Sequence, residues 1–259
     1  MKIIILAAGM GTRLGALTSN TPKSLIDLGD GRTLLETQLK SIEESKVIDE
    51  VVIVIGYCGE QIEAKMKKYK NQGMKIKTIY NPFYEISNNL MSLWLAKSEM
   101  NEDFLITNGD NLFEKEAFSG LVKDCKNGVF LTISKKDSYN DDDMKVIMDR
   151  TIEKVSKKIP EKDANAESVG LVLVSGERSR EAFKASLEEL ARDKEYINRF
   201  WLEVFNRMIE KGAAILPYEI NGSEMWTEVD FHGDLLEMMK SLNQKKLESL
   251  EEKSTPKSD

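Results

Sequence analysis

The sequence predicts a single α/β domain in which a mixed, mainly parallel β-sheet carries helices on both faces. Three observations lead to this expectation. The length of 259 residues suits one large domain, and no linker or change of composition divides the chain. Apolar runs typical of strands buried on both faces recur in the first half. Segments with helical spacing of apolar residues alternate with them, as in βαβ units.

The first half shows this alternation most clearly. Residues 3–7 and 51–55 are continuous apolar runs, and residues 33–45 between them place leucines and isoleucine at helical spacing. The later elements of this half are a helix over 61–70, a strand over 76–80, a helix over 90–98 and a strand over 104–107.

The second half is less regular. Its predicted strands are 129–134, 145–148, 151–157, 169–174 and 213–218, and its predicted helices are 178–191, 196–211 and 234–242. From residue 244 onward the chain is charged and contains Ser and Pro, which is typical of a disordered tail. We therefore expect one domain over residues 1–243 and a tail over 244–259.

The balance of charged residues argues against one class of protein, the general nucleic-acid binder. The chain has 37 Lys and Arg against 44 Asp and Glu, a net charge of −7. A general nucleic-acid binder needs a basic field to meet phosphates, so this balance argues against one. A small anionic ligand stays compatible with it, because a few local cations suffice.

The numbers of cysteines and histidines and the hydropathy argue against three further kinds of protein or site. Cys58 and Cys125 are too few for a disulfide framework and fit a reducing compartment. The single histidine, His232, argues against a histidine-rich zinc site or a histidine-based triad. No segment approaches the roughly 20 apolar residues of a membrane span. We expect a soluble cytoplasmic protein without a membrane partner.

The strongest chemical signal is a glycine-containing segment after the first strand, LAAGMGTRL at residues 6–14, followed by Pro22-Lys23. Glycines let the backbone approach a ligand and leave N–H groups free for phosphate oxygens, and Arg13 and Lys23 add positive charge. A tight turn with two surface cations is the alternative. The dinucleotide fingerprint and the P-loop both fit poorly, since Leu14 replaces a required glycine and Thr12-Arg13-Leu14 replaces Gly-Lys-Ser/Thr.

These residues resemble the signature of nucleotidyltransferases of the sugar-phosphate pyrophosphorylase type, and the resemblance extends from Met1 to about Met239. It implies a Rossmann-like domain of the nucleotide-diphospho-sugar transferase type, with the nucleotide at the carboxyl ends of the strands. The nucleotide-binding residues that it implies are Leu6, Ala7, Ala8, Gly9, Met10, Gly11, Thr12, Arg13, Lys23, Asn88, Asn89, Ser92, Gly109 and Asp110.

Two acidic segments resemble the metal-binding positions of this family. They are Asn108-Gly109-Asp110 at a strand end and WTEVD at residues 226–230. The resemblance implies Mg²⁺ held by Asp110 and Asp230, and Mg²⁺ prefers one or two carboxylates plus substrate phosphates. A turn at Asp110 and a helix cap at Asp230 are the alternatives.

A further segment, NNLMSL at residues 88–93, resembles the subgroup of phosphocholine and aminoethylphosphonate cytidylyltransferases, and residues 144–146 and 167–170 also suit that subgroup. The resemblance implies that Asn88 and Ser92 bind the base or ribose. The two asparagines also fit a helix N-cap and a polar first turn.

The implied catalytic residues are Arg13, Lys23 and Lys145, the last of them on the phosphate of the acceptor, although Lys145 also fits a solvated strand lysine. Aromatic and acidic residues are candidates for the acceptor pocket. An ammonium group favours aromatic faces or carboxylates, whereas Trp201 also fits a buried helix face. The substrate-binding candidates are Lys145, Glu167, Trp201, Trp226 and Glu228.

The sequence thus predicts Mg²⁺-dependent transfer of a cytidylyl group from CTP to a small phosphorylated alcohol or a phosphonate, with release of pyrophosphate. One alternative is a nucleotidyltransferase that acts on sugar or polyol phosphates, inositol phosphate included, with UTP, dTTP or CTP. Another is a nucleotide-sensing domain without catalysis. The sequence leaves open the acceptor and whether the protein is a monomer or a homodimer.

Overall fold

The computed structural model describes residues 1–220 and 225–240. The strands in this part of the chain are β1 (Lys2–Ala7), β2 (Glu50–Ile55), β3 (Ile76–Tyr80), β4 (Phe104–Asn108), β5 (Asn111–Phe113), β6 (Val129–Ser134), β7 (Lys145–Met148), β8 (Ile152–Val155), β9 (Ala166–Val174), β10 (Ile215–Glu219) and β11 (Trp226–Glu228). The α-helices are α1 (Leu34–Ser45), α2 (Gly59–Asn71), α3 (Asn89–Leu95), α4 (Lys115–Asp124), α5 (Glu177–Ala191) and α6 (Glu203–Glu210), and residues 232–240 are also helical.

The main sheet is mixed and mainly parallel, as the sequence predicts. Within the described residues its central order is β10-β6-β9-β4-β1-β2-β3, and β7 and β8 extend it beside β9. The pairs β1–β2, β1–β4, β2–β3 and β6–β10 are parallel. β9 runs antiparallel to both of its neighbours, β4 and β6.

Helices cover both faces because the side chains of each central strand alternate between two cores. On β1, Ile4 and Leu6 pack with α3, α5 and α6, whereas Ile3 and Ile5 pack with α1, α2 and α4. All six residues of this strand are buried. Residues 3–7 are accordingly all apolar. They do not show the alternation of apolar and polar residues that is typical of a strand with one face exposed to solvent.

Helix α1 begins with a capping box. The Thr33 side chain accepts from the backbone N–H of Glu36, and the Glu36 carboxylate accepts from the backbone N–H of Thr33. Two of the N–H groups that a helix start leaves unpaired are satisfied in this way. The cap fixes where α1 starts against the sheet.

Several elements differ from the sequence prediction. Helix α4 and the short antiparallel pair β5–β11 were not predicted. The predicted helix over 196–211 is wrong for residues 197–202, which form turns before α6 begins. Here tertiary contacts outweigh helical spacing, because the backbone N–H of Trp201 donates to the Asn89 side chain at 2.9 Å. The predicted tail over 244–259 lies outside the described residues.

The carboxyl ends of β1 and β4 lie side by side, and this brings two distant motifs together. Leu6 is paired with Asn108 in register, and the backbone N–H of Gly109 donates to the Leu6 carbonyl at 2.8 Å. The glycine-containing segment after β1 thus lies beside the acidic turn after β4. In the described ranges no helix combines the length and apolar character needed to cross a bilayer.

Candidate active site

A cavity of about 450 Å³ opens at the carboxyl ends of the central strands. Binding sites of open α/β sheets lie at this edge. Its walls include Ala8, Gly9 and Arg13 from the segment after β1 and Asp110 from the turn after β4. Residues predicted to bind the nucleotide and residues predicted to bind the metal therefore share one cavity.

Glycine at position 11 allows Lys23 to enter this cavity. Gly11 has a φ of +64°, and a Cβ atom there would lie 2.8 Å from the Lys23 Cβ. The Thr18 hydroxyl donates to the Gly11 carbonyl at 2.9 Å and fixes the loop. A side chain at position 11 would thus be strained and would displace Lys23.

Two cations and two aspartates form an ion-pair network on the cavity wall. The Lys23 Nζ lies 3.0 Å from Asp110 Oδ2 and 2.5 Å from Asp230 Oδ1, and Arg13 also pairs with Asp230. Burial by itself lowers the pKa of Lys23, but the charges of Asp110 and Asp230 outweigh it and raise that pKa. For Asp230, burial raises the pKa and is outweighed by Lys23 and Arg13, which lower it.

Three carboxylates, Asp110, Glu228 and Asp230, form what we call the carboxylate cluster. One oxygen from each lies within 4.8 Å of the others. Glu228 is open to the cavity solvent yet surrounded by protein. Removal from bulk water, followed by the charges of Asp110 and Asp230, raises the pKa of Glu228 to about 7. Glu228, which the sequence placed with the acceptor, therefore belongs to this cluster.

The cluster fits a hard divalent cation. Asp110 Oδ1 is buried and has no hydrogen-bond partner within the described residues, so it has capacity for a ligand. Carboxylate oxygens are the ligands that Mg²⁺ prefers, and the remaining positions are normally taken by water and substrate phosphates. A cation there would also neutralise the repulsion among the three carboxylates.

Backbone pairing builds the cluster from distant parts of the chain. β11 pairs antiparallel with β5, so that Glu228 lies opposite Asn111. The backbone N–H of Val229 donates to the Asp110 carbonyl at 3.0 Å. Asp234 then accepts from the backbone N–H of Asp230 at 2.9 Å. These bonds fix Glu228 and Asp230 beside the turn that carries Asp110.

The polar residues predicted to contact the base or ribose line another wall. Asn88, Asn89 and Ser92 all face the cavity. The Asn88 side chain also caps α3, accepting from the backbone N–H of Asn89 at 2.7 Å. Asn88 is therefore a helix cap, and its place at the cavity is compatible with the predicted contact to a base or ribose. The Ser92 hydroxyl accepts from the buried amide of Asn81 at 3.0 Å.

Most of the implied nucleotide residues surround the cavity, with one difference. Met10 does not line it and its side chain is exposed. The residues that do line it are Leu6, Ala7, Ala8, Gly9, Gly11, Thr12, Arg13, Lys23, Asn88, Asn89, Ser92, Gly109 and Asp110.

A second charged group on the cavity wall contains Glu167, one of the residues predicted to bind the acceptor. The Lys136 Nζ lies 2.7 Å from Asp143 and 2.8 Å from the buried Glu167. Burial raises the pKa of Glu167 even though Lys136 opposes the shift. Lys145, predicted to bind the phosphate of the acceptor, is instead buried, and its Nζ donates to the Asn140 carbonyl at 2.7 Å. It does not line the cavity.

The aromatic candidates take different positions. Trp201 is fully buried, and its indole N–H donates to the Asn108 side chain at 2.9 Å, so it supports the cavity wall from behind. Trp226 is half-buried and faces the cavity. The ring of Phe200 lies 5.4 Å from the Lys157 Nζ. Trp201 is therefore buried, as its alternative expects, but it lies in a turn and not on a helix face, and it also contributes to the cavity lining.

The sequence did not single out Asn81, Lys136 or Lys157, all of which line the cavity. Each follows the end of a strand by one or two residues, after β3, β6 and β8 respectively. The general placement of sites at the carboxyl ends of strands was the available signal for Asn81 and Lys136.

The chain is similar in sequence and fold to several known proteins. A family profile described as Nucleotidyl transferase matches residues 2–245. Choline-phosphate cytidylyltransferase of Streptococcus pneumoniae is 35% identical over 151 residues, which cover 55% of this chain and 60% of that protein. The enzyme of the same name from Haemophilus influenzae is 36% identical over 136 residues, covering 52% and 54%. The matched part thus spans less than two thirds of either relative.

Other similarities extend over more of the chain. CTP:phosphoglutamine cytidylyltransferase of Campylobacter jejuni is 25% identical over 257 residues, covering 91% of this chain and 98% of that protein. The structure of the Streptococcus pneumoniae CTP:phosphocholine cytidylyltransferase superposes with a TM-score of 0.73 at 23% identity, covering 93% and 98% of the two chains. The inositol-1-phosphate CTP transferase of T. maritima superposes with a TM-score of 0.74 at 22% identity, covering 93% and 95%. At these identities the two superpositions show the fold.

Proposed function

Because the chain belongs to the nucleotidyl transferase family, we propose that it transfers a cytidylyl group from CTP to a small phosphorylated alcohol or a phosphonate. The observation that carries the proposal is the meeting of Arg13, Lys23 and the carboxylate cluster in one cavity. Such an arrangement suits a nucleoside triphosphate with a divalent cation. The relatives named for choline phosphate support the choice of CTP and of a small acceptor.

The reaction joins an acceptor oxygen to the α-phosphorus of CTP. The new oxygen–phosphorus bond forms as the bond between the α-phosphorus and the bridging oxygen breaks, and pyrophosphate leaves with that electron pair. A phosphate or phosphonate oxygen is already anionic, so the step needs no general base. Catalysis then consists of positioning and of stabilising charge.

The residues of the cavity have separate roles in this step. Mg²⁺ held by Asp110, Glu228 and Asp230 would supply charge neutralisation for the triphosphate. Lys23 lies between two of these carboxylates. Its ammonium group turns toward the α-phosphate and the incoming acceptor when the substrates bind. Arg13 binds the pyrophosphate that leaves.

The acceptor end offers cations and a carboxylate. Lys157 lies beside Phe200 and lines the cavity, and it is better placed than the buried Lys145 to bind the phosphate or phosphonate of the acceptor. Glu167 and Trp226 are the candidates for an ammonium group on the acceptor. The acceptor is accordingly phosphocholine or 2-aminoethylphosphonate, or a compound of similar chemistry.

A polyol-phosphate nucleotidyltransferase is the second candidate, because the structure named for inositol-1-phosphate and CTP covers nearly the same length of chain. A pyrophosphate-release assay with Mg²⁺ separates the two. Each of CTP, UTP and dTTP is combined with phosphocholine, phosphoethanolamine, aminoethylphosphonate, glycerol phosphate, inositol phosphate or a hexose phosphate. We expect release with CTP and an amine-bearing acceptor. Release confined to inositol or hexose phosphates would overturn the proposal. The absence of pyrophosphate release with every acceptor tested would favour a non-catalytic nucleotide sensor.

A further inference from the structure

A buried glutamine on α1 contacts the turn that carries Asp110. We call residues 108–111 the Asp110 turn. The Gln38 Nε2 donates to the carbonyl of Asn108 at 2.9 Å and to the carbonyl of Asn111 at 2.5 Å. These two carbonyls flank Gly109 and Asp110. One side chain amide thus holds the backbone on both sides of a predicted metal ligand.

The burial of Gln38 has no explanation within its own helix. Its neighbours in the core, Leu35 and Leu39, are apolar, and Gln38 is 3% exposed. Its Oε1 is buried without a hydrogen-bond partner among the described residues, which is costly for a polar group. An apolar side chain at this place would serve the core better. The role of the amide therefore lies in the two hydrogen bonds that its nitrogen donates to the Asp110 turn.

Both acceptors on the turn are backbone carbonyls, which accept and never donate. The nitrogen of the Gln38 amide must therefore point at the turn, and its oxygen must point away. An NH₂ group carries two hydrogens and can bond both carbonyls together. The side chain bridges the turn in a way that neither glutamate nor methionine can reproduce.

Other contacts hold the Asp110 turn from different directions. The backbone N–H of Gly109 bonds the Leu6 carbonyl on β1, and the Asn111 side chain donates to the Val169 carbonyl on β9 at 2.8 Å. A Cβ on Gly109 would lie 2.9 Å from the Ala7 Cβ. The backbone N–H of Val229, after β11, donates to the Asp110 carbonyl. The Gln38 bridge adds the contact from α1, so the turn is held from β1, β9, β11 and α1.

We propose that Gln38 is a positioning residue that sets the direction of the Asp110 carboxylate toward a divalent cation in the carboxylate cluster. The inference rests on the metal site within the proposed function. Groups that orient a metal ligand commonly change metal affinity by roughly 10- to 100-fold when they are removed. Without the bridge the turn keeps its contacts to β1, β9 and the end of β11 but loses the contact to α1.

The test uses Gln38→Met, which keeps the length of the side chain and removes both donors. Ser45→Ala is the matched control, since the Ser45 hydroxyl is also buried on α1 and donates to a backbone carbonyl, that of Ile42, far from the turn. Mn²⁺ affinity is measured by electron paramagnetic resonance with and without CTP, and hydrogen exchange of residues 104–113 is measured in parallel. Gln38→Glu serves as a second variant if Gln38→Met does not fold.

We expect the Gln38 variant to bind Mn²⁺ roughly 10- to 100-fold more weakly and to exchange faster over residues 104–113. The Mg²⁺ concentration for half-maximal pyrophosphate release would rise by a similar factor. Ser45→Ala would change neither. Equal Mn²⁺ affinity in wild type and the Gln38 variants would overturn the inference, as would a wild-type protein that binds no Mn²⁺. Mn²⁺ binding that depends on Gln38 in a protein without transferase activity would leave the inference standing and remove the proposed function.

Discussion

Lys23 illustrates how much of the site depends on single side chains. Its ammonium group lies between Asp110 and Asp230 and is enclosed by protein, with 12% of the side chain exposed. Gly11 gives it the space to reach this position. The same cation can serve the carboxylates in the free protein and the phosphates in the complex, since both are anionic oxygen ligands.

The first prediction concerns this lysine. Lys23→Met removes a preorganised cation from the reacting phosphates, and we expect kcat to fall by about 100-fold or more. The rate of pyrophosphate release measures the effect. Lys40→Met, which removes a lysine on α1 whose side chain is 53% exposed, is the matched control and should retain wild-type activity. A Lys23 variant with kcat within a few-fold of the wild type would contradict the assigned role.

Gly109 provides a second prediction, because its close contacts are with a neighbouring strand. A Cβ there would lie 3.1 Å from both the Ala7 Cα and the Leu6 carbonyl oxygen, and backbone atoms cannot move aside cheaply. We expect Gly109→Ala to lower the free energy of unfolding by about 1–3 kcal/mol, as measured by urea denaturation.

The control for this change is Gly233→Ala. Gly233 lies in the helix over residues 232–240, and a Cβ there would meet no atom within 4 Å. Alanine favours a helix over glycine, so the control should be neutral or stabilising. Equal losses of stability in both variants would argue against tight packing between β4 and β1.

At the scale of elements, the side chain of Glu36 holds the first turn of α1 in place. Burial by itself raises the pKa of Glu36. Hydrogen bonds from the Thr33 backbone and from the side chains of Lys65, Tyr69 and Thr33 outweigh it and lower the pKa to about 2. Burial, together with the hydrogen bond to this carboxylate, raises the pKa of Tyr69 to about 12. The start of α1 is thus held by a charged group as well as by apolar packing.

The third prediction follows from the lowered pKa of Glu36. A carboxyl group with a lower pKa in the folded state stabilises the protein above its ordinary pKa of 4.5, and this stability is lost as the pH falls toward 2. Glu36→Gln should therefore be less stable than wild type at pH 7, by up to about 3 kcal/mol. The difference should shrink as the pH falls from 4.5 to 2.5.

Urea denaturation of both proteins across this range measures the effect. Glu44→Gln, on the same helix but 46% exposed, provides the control. A Glu36 difference that stays constant with pH would show that the carboxylate charge contributes nothing to the stability.

The strands β1, β2 and β4 could be predicted because nearly all of their residues are buried on both faces of the sheet, which requires a nearly continuous apolar run. The short pair β5–β11 could not, because three-residue strands carry no periodicity. The turns over 197–202 were also missed, since they are fixed by contacts with α3 that the local pattern does not contain. Local pattern thus predicts long elements and misses those that distant contacts determine.

At the scale of the whole molecule, a net charge of −7 is compatible with an anionic ligand, because the cations that line the cavity act on the ligand at short range. Arg13 and Lys23 lie on the cavity wall, and the acidic residues beside them form a site that suits a divalent cation. The global charge excludes nucleic acid more readily than it excludes a nucleotide.

Residues that lie together in the cavity could be named from the sequence where one motif contains them, and were missed where only the fold brings them together. Asp110 and Asp230 were placed by motif, whereas Glu228 joined them only through the pairing of β5 with β11. Gln38 carries no motif at all and is recognised by its two hydrogen bonds to the Asp110 turn. Such a residue is identified only once the fold places α1 against the end of β4.

The central claim is that the cavity holds CTP with a divalent cation and transfers its cytidylyl group to a small phosphate or phosphonate. Its most direct test is mass spectrometry of the products formed from an equimolar mixture of CTP, UTP and dTTP with aminoethylphosphonate, phosphocholine and Mg²⁺. We predict a cytidylyl product and pyrophosphate, both abolished by EDTA and restored by excess Mg²⁺. Uridylyl or thymidylyl products without a cytidylyl product, or the same yield in EDTA, would contradict the account.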